Sequence, residues 1–222
     1  MTQSTAIPTP SGAATETGTD LCTLYLVRHG TTTMNVENRY RGRRDIPLDA
    51  QGYQDAVDAA RQLSGAGLGA VYAGGLRRTI ATAQIIADEA RVPDIRILPG
   101  LINVDYGSWE GMTAQEAEMF APAAFKLYKT DPSLAVCPNG ERLRDAQERM
   151  LEALRLMGSR HVGEKVAAVT HAVMIRLVVA SIENISGEQW RIPVGRGSLT
   201  TMTIDQQGVI EVRQRPAGSD VD

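Results

Sequence analysis

The sequence predicts an α/β protein, a three-layer α/β/α sandwich with a mostly parallel central sheet. Two observations favour this class. Short apolar runs typical of buried strands alternate with amphipathic helical segments over most of the 222 residues. Hydrophobic residues make up 43% of the chain, enough to cover a sheet on both faces.

The composition divides the chain into one domain and two ends. Residues 1–19 are mostly Thr, Ser, Ala, Pro and Gly, which cannot offset their own ordering entropy, so we expect a disordered tail. This stretch has neither the basic start nor the apolar centre of a signal peptide. We expect the folded domain to span residues 20–215 and residues 216–222 to be a frayed C-terminus.

The first half of the domain predicts three strands and two helices. The apolar run Leu21–Val27 is the first strand, and a polar, arginine-rich loop follows it. Helical periodicity then runs from Ala56 to Leu63, before a Gly-containing break. Ala70–Ala73 is a short strand, Leu76–Ala90 a helix, and Ile95–Leu98 a strand that Pro99 stops.

The second half predicts helices, one more buried strand and a hairpin. Thr113 and Glu116 form a capping box at the start of a helix. Glu141–Met157 has the periodicity of a long amphipathic helix. The last predicted elements are the strand Lys165–Thr170, the helix Ala172–Ile182, and a hairpin of Ser198–Ile204 with Val209–Arg213.

Charge and cysteine content narrow the classes of partner. The net charge of -3 does not favour bulk binding to nucleic acid or to an acidic membrane. The apolar stretch Val166–Ile182 is interrupted by His171 and Arg176 and is too short to span a bilayer. Cys22 and Cys137 match no metal or redox spacing, so we expect no metal and no cofactor in a reduced, cytoplasmic protein. The sequence leaves a homodimer open.

Four basic side chains follow predicted strands where ligand crevices of open α/β sheets form. Arg28 and His29 end the first strand, His171 ends Lys165–Thr170, and Arg78 follows Ala70–Ala73. If these strands are neighbours, the four side chains converge into one cationic pocket, to which Asn35 adds an uncharged donor. Such a pocket suits an oxyanion, with phosphate favoured, because Arg is a forked cationic donor and neutral His a nucleophile.

Taken singly, the same residues have simpler interpretations. A lone His at a strand end is more often a structural hydrogen-bonding group than a catalyst. The run Arg39, Arg41, Arg43 and Arg44 reads as an exposed loop, and His161 is expected at the surface. The repetition of basic residues at matching strand ends favours a site.

The chain resembles the histidine phosphatase superfamily, the fold shared with cofactor-dependent phosphoglycerate mutases. The resemblance covers roughly residues 21–205. It rests on six segments in the family's order: Arg28-His29-Gly30, Asn35 with Arg39 to Gly52, Leu76-Arg77-Arg78, Tyr106-Gly107-Ser108-Trp109-Glu110-Gly111, Asn139-Gly140-Glu141, and Val169-Thr170-His171-Ala172.

This resemblance implies a metal-independent phosphoric monoester hydrolase. His29 would be the nucleophile that forms a phosphohistidine, which water then hydrolyses. Arg28, Arg78 and His171, with Asn35, would bind the phosphoryl group of a small phosphorylated molecule. Fixed cationic donors of this kind are the main catalytic device of phosphoryl transfer.

The chain departs from the family's pattern at the general acid. Asn103 stands where the family has a Glu, and an amide cannot protonate a leaving alkoxide, a contribution typically worth about 10²–10⁴-fold. Three accounts are open: Asp105 acts as the acid, the leaving group needs little protonation, or turnover has been lost and the pocket only binds. Glu110 is a further, weaker candidate for the acid.

Other departures affect the substrate. Ala172 replaces the family's Gly and adds a methyl beside the pocket, and Arg41 replaces a common Gln and could favour a second anionic group. The short stretch from Gly111 to Gly140 has room for only one or two short helices, which favours the phosphatase branch over the mutases. The alternatives are a catalytically impaired phosphometabolite-binding protein and an enzyme that uses the pocket for another anionic substrate.

Overall fold

The fold is built on one six-stranded sheet. The computed structural model describes residues 20–218. Along the sheet the strand order is β3-β2-β4-β1-β5-β6, with the first four strands parallel and the last two antiparallel to their neighbours. The strands are β1 (Cys22–Arg28), β2 (Leu68–Ala73), β3 (Ile95–Ile97), β4 (Lys165–Thr170), β5 (Leu199–Ile204) and β6 (Ile210–Gln214).

Helices cover both faces of this sheet, which confirms the predicted sandwich. They are α1 (Thr33–Val36), α2 (Ala50–Leu63), α3 (Arg77–Ala90), α4 (Ala114–Phe120), α5 (Pro122–Thr130), α6 (Leu143–Arg160) and α7 (Ala172–Ile182). Side chains alternate along each strand, so the two faces bury separate cores. One core packs against α2 and α3 and the other, larger core against α6 and α7.

The order of the strands decides which strand ends meet. β4 lies between β1 and β2, and all three are parallel, so their carboxyl ends share one edge of the sheet. Arg28 at the end of β1 pairs with Thr170 at the end of β4. Strands buried on both faces consist of nearly continuous apolar residues, and for this reason the strands could be predicted from the sequence.

Most predicted elements are present with small changes at their ends. β4 and α7 have the predicted bounds, and the capping box of Thr113 and Glu116 is formed at the start of α4. The helix predicted from Ala56 begins earlier, at Ala50, because the Asp49 carboxylate accepts a hydrogen bond from the Gly52 amide and caps it.

One expectation differs from the structure. His161 was expected at the surface but is 5% exposed, because it lies 3.0 Å from the Tyr72 hydroxyl and 2.6 Å from Glu164. Of the expected frayed end, residues 216–218 are described, and the carbonyl of Ala217 accepts a hydrogen bond from the amide of Gly195. Residues 1–19 and 219–222 lie outside the described residues.

None of the helices within residues 20–218 is both long and apolar enough to cross a membrane. Both cysteines are buried and free.

Candidate active site

The two histidines meet at the centre of the sheet edge. The His29 amide donates to the carbonyl of Thr170, at 3.1 Å, and His171 is the N-cap residue of α7. Their ring centroids are 5.1 Å apart, with an angle of 64° between the planes. His29 is 1% exposed and His171 is 2% exposed, so both imidazoles lie in a site largely closed to water.

The tautomer of His29 follows from its backbone contact. Nδ1 lies 2.6 Å from the carbonyl oxygen of Gly30, which can only accept, so Nδ1 carries the proton. Nε2 then holds a lone pair. In His171, neither ring nitrogen has a hydrogen-bond partner among the described residues.

Arg78 is fixed by two carbonyl oxygens. It is fully buried, and Nη1 donates to Arg44 and Nη2 to Gly42, at 2.8 and 2.9 Å. Its Nε has no partner within the described part of the chain. Arg28 is equally buried, and its Nη1 donates to the carbonyl of Val194. The loop carbonyls therefore hold the guanidinium groups in place.

Burial and like charge set the protonation of the cluster. Burial first, and then the charge of Arg78, hold the pKa of both His29 and His171 well below its usual range. Burial, followed by the charge of Arg41, lowers the pKa of Arg78 to about 9. At neutral pH both imidazoles are therefore neutral and Arg78 is cationic, a combination suited to an anion and a nucleophile.

A cavity of about 290 Å³ opens onto the two imidazoles. Of the predicted residues, Arg41, Asn103 and Ala172 lie in its wall. Sequence reasoning had not assigned a site role to six others, Asn38, Arg39, Tyr40, Tyr106, Ala114 and Val173. Two of these, Asn38 and Tyr40, flank Arg39 in the same arginine-rich loop. Their position next to Arg39 is the sequence feature that could have indicated a place at the site.

Two asparagines present opposite groups. The Asn35 oxygen accepts from the amide and hydroxyl of Thr32, so its buried Nδ2 is left without a partner among residues 20–218. Asn103 is arranged the other way: Nδ2 donates to the carbonyl of Gly42, at 3.1 Å, and the buried Oδ1 is without a partner in that same range. Asn103 therefore presents an acceptor in the cavity wall, whereas Asn35, with its unpartnered donor, is not among the residues of that wall.

Asp105 is not brought to the cavity. Its carboxylate is 37% exposed, accepts from the amide of Gly107 and lies 3.7 Å from Arg43. It is absent from the cavity wall, so its position does not support the predicted role as general acid. Glu110 accepts from the amide of Arg43 and is likewise outside the wall, in a structural position.

A close backbone contact positions the loop after β1. A Cβ on Gly30 would lie 2.1 Å from the carbonyl oxygen of Gly52, and a Cβ on Gly52 would lie 2.0 Å from that of Thr31. Thr31 is also held by Asp55, which accepts from its amide and hydroxyl. The start of α2 therefore supports the segment that carries His29.

No group of three or more His, Cys, Asp or Glu side chains placed to hold a metal ion occurs within residues 20–218. The ligand that the site can hold through its own residues is an anion, because two neutral imidazoles and Arg41 line the cavity and the positive charges of Arg28 and Arg78 act on His29.

Comparisons with known proteins show the family of this chain. The family profile of the histidine phosphatase superfamily (branch 1) matches residues 24–215. Phosphoglycerate mutase-like protein 4 of Arabidopsis thaliana is 33% identical over 159 residues, 71% of this chain and 69% of the relative. Phosphoserine phosphatase 1 of Hydrogenobacter thermophilus is 28% identical over 185 residues, 83% and 87% of the two chains.

A solved structure shows the same fold. Bacillus stearothermophilus YhfR superimposes with a TM-score of 0.81 and 33% identity, covering 90% of this chain and 100% of that one. The family match spans nearly all the described residues and includes both histidines and both buried arginines of the cluster. The chain therefore belongs to the histidine phosphatase superfamily and is phosphoglycerate mutase-like in fold.

Proposed function

We propose that this protein is a metal-independent phosphatase that hydrolyses a small phosphorylated metabolite through a phosphohistidine on His29. The observation that carries the proposal is that two neutral imidazoles and two guanidinium groups are buried together. Nδ1 of His29 is committed to Gly30, so the lone pair of Nε2 is available to attack phosphorus.

The surrounding groups have distinct roles in the proposed reaction. Arg28 and Arg78 bind the phosphoryl oxygens, because they are buried cationic donors. His171 and the free Nδ2 of Asn35 add hydrogen-bonding groups without adding charge. These donors are fixed before the substrate binds, so the charge that spreads over the phosphoryl oxygens in the transition state is stabilised without reorganisation.

The size of the cavity and the relatives support a small substrate. A volume of about 290 Å³ lies at the lower end of the range for small-molecule sites. The relative from Hydrogenobacter thermophilus is named a phosphoserine phosphatase. Arg41 in the wall adds positive charge next to the phosphoryl group, which favours a substrate with a second anionic group.

The experiment is hydrolysis of 4-nitrophenyl phosphate, whose leaving group needs little protonation, with and without a chelator. We expect release of phosphate that the chelator does not change, and a loss of at least about 10³-fold in His29→Ala, since that variant has no nucleophile. An acid-labile, base-stable phosphate on the wild-type chain after rapid quenching would support the intermediate.

Arg77→Ala is a matched control, because Arg77 is exposed beside the buried Arg78. Full activity in His29→Ala would contradict the proposed nucleophile. Stabilisation of the folded protein by inorganic phosphate, with no turnover of any phosphate compound, would contradict a phosphatase and favour the binding-protein alternative.

A further inference from the structure

The inference rests on the proposed function and concerns the group that leaves the phosphorus. We propose that the substrate is a phosphoramidate, a compound with a phosphorus–nitrogen bond, and that Asn103 accepts a hydrogen bond from the N–H of the leaving nitrogen. Asn103 is 5% exposed and lies in the wall of the same cavity as His29.

The orientation of the Asn103 amide is fixed by the loop. Its Nδ2 donates to the carbonyl of Gly42, and the same carbonyl accepts from Nη2 of Arg78. A flipped amide would bring its oxygen against the Gly42 oxygen, so Oδ1 is the atom left without a partner within residues 20–218. An acceptor is therefore held beside the arginine that binds the phosphoryl group.

A phosphoryl oxygen is a poor partner for this acceptor. The oxygens of a bound phosphoryl group are themselves acceptors, and two buried acceptors facing each other leave both unsatisfied. The cationic groups at the site also hold the phosphoryl group in its deprotonated form. The donor that satisfies Oδ1 must therefore belong to the other part of the substrate, the leaving group.

The cavity wall offers no carboxylic acid for an ester. Its described residues include no Asp or Glu, and the Tyr106 hydroxyl is engaged with that of Tyr128, at 2.9 Å. His171 is held neutral by its buried position next to Arg78, and the N–H of a neutral imidazole is too weak an acid to serve as a general acid. An alkoxide would leave this site without a carboxyl group to protonate it, which is unfavourable.

A phosphoramidate removes that difficulty in its zwitterionic form, in which the bridging nitrogen carries an extra proton and a positive charge while the phosphoryl oxygens are deprotonated. Nε2 of His29 forms a bond to phosphorus while the phosphorus–nitrogen bond breaks, and the bonding electron pair stays on the nitrogen. The nitrogen leaves as a neutral amine and needs no proton from the protein. Water then displaces phosphate from His29, and its proton ends on the phosphate.

Phosphate esters lack this match. The bridging oxygen of an ester is an acceptor, so it faces Oδ1 of Asn103 without a hydrogen between them. The amide at position 103 therefore favours a leaving group that carries an N–H. Such a leaving group also needs no acid from the protein.

The test compares kcat/KM for potassium phosphoramidate, 4-nitrophenyl phosphate and ethyl phosphate. Asn103→Leu removes the acceptor at similar volume. We expect the ratio of phosphoramidate to aryl phosphate activity to fall about tenfold, the size of one hydrogen bond. A ratio that stays within twofold of the wild type, or rises, overturns the inference.

A second variant guards against misfolding of the first. Asn103→Glu supplies a carboxyl group, so ethyl phosphate hydrolysis should rise about 10²-fold while phosphoramidate hydrolysis does not rise. An unchanged ratio between these two substrates overturns the inference. Gln206→Glu, which likewise replaces an amide by a carboxyl group but on an exposed turn, is the matched control and should leave both rates unaltered.

The two proposals fail in different ways. If the folded wild-type protein hydrolyses neither the aryl phosphate nor the phosphoramidate, the proposed phosphatase function fails. If the aryl phosphate is hydrolysed in a His29-dependent manner but the Asn103 variants leave the ratios unchanged, only the assignment of the leaving group fails.

Discussion

At the scale of single residues, the chemistry depends on keeping two imidazoles neutral beside guanidinium groups. Burial and the charge of Arg78 disfavour the imidazolium form of His29 and His171, because a third positive charge in the cluster has no counter-ion in the cavity wall. The same burial lowers the pKa of Arg78 only to about 9, so it keeps its proton. At neutral pH His29 is therefore neutral and nucleophilic, while Arg78 beside it is still cationic.

The pH dependence of kcat/KM should follow from these values. Because the pKa of free His29 lies well below 6.5, we expect no loss of nucleophile between pH 7.5 and 6, after allowing for the ionisation of the substrate. Above about pH 9 Arg78 loses its proton and kcat/KM should fall. Initial rates with 4-nitrophenyl phosphate measure both limbs, and an acid limb centred near 6.5 would contradict the lowered pKa.

Replacing Arg78 with lysine should impair binding although the charge is kept. Arg78 uses two nitrogens on the carbonyls of Gly42 and Arg44 and still presents Nε, which a single ammonium cannot reproduce. We expect KM for the aryl phosphate to rise at least about tenfold, since hydrogen bonds to charged groups are worth about 1.5–3 kcal/mol.

The exposed neighbour offers the matched variant Arg77→Lys, for which KM should stay at the wild-type value. An equal rise of KM in both variants would indicate a general electrostatic effect, and the specific role of Arg78 would be wrong.

At the scale of elements, the start of α2 and the loop after β1 act as one unit. Alanine normally stabilises a helix relative to glycine by about 1 kcal/mol. In Gly52→Ala, however, the new Cβ would lie 2.0 Å from the carbonyl oxygen of Thr31, and backbone cannot move aside cheaply. We expect the free energy of unfolding to fall by about 1–3 kcal/mol or more, and the activity to fall with it, since His29 shifts.

Gly69→Ala serves as the comparison in chemical denaturation. There the new Cβ would meet the end of the Glu164 side chain, so that side chain and its contact with His161 would shift instead of the backbone. The destabilisation should stay below that of Gly52→Ala, and the reverse order would contradict the proposed contact between α2 and the loop.

The elements also show what the sequence could predict. His29, Arg78 and His171 follow buried strands, which the apolar runs predict, and parallel neighbours bring such ends together. That these strands are neighbours is shown by the sheet and not by the runs. The sequence predicted Asp105 as a site residue because it lies two positions after Asn103 in the chain. In the structure the turn before Gly107 directs its carboxylate to the backbone and to Arg43, and no periodicity in the sequence indicates that turn.

Residues with distant partners were missed for the same physical reason. His161 follows the polar residues Ser159 and Arg160, but its burial depends on Tyr72 of β2, which only the folded sheet brings near. Asn38 and Tyr40 reach the cavity on a loop whose path is set by contacts such as that of Arg39 with Gly111. Long-range contacts of this kind leave no local pattern.

At the scale of the whole molecule, the buried histidines make stability depend on pH. Their pKa is about 6.5 in the unfolded chain and well below that when folded, so the unfolded state binds more protons below pH 6.5. The free energy of unfolding should therefore fall as the pH falls from 6.5 towards the folded values, by up to about 1.4 kcal/mol per pH unit for each histidine.

Urea denaturation at pH 7.5, 6.5 and 5.5 in a phosphate-free buffer measures the slope of the free energy of unfolding against pH. The double variant His29→Asn/His171→Asn should lose the part of the slope that these two groups contribute. If wild type and double variant show equal slopes below pH 6.5, the two imidazoles are not held neutral by the fold.

The position of β4 between β1 and β2 has a consequence for synthesis on the ribosome. Both strands that carry the earlier site residues, Arg28 and His29 after β1 and Arg78 after β2, reach each other only through β4, which begins at Lys165. A nascent chain shorter than this lacks the strand that joins them. Anion binding should thus be acquired late in translation, after most of the polypeptide has left the exit tunnel.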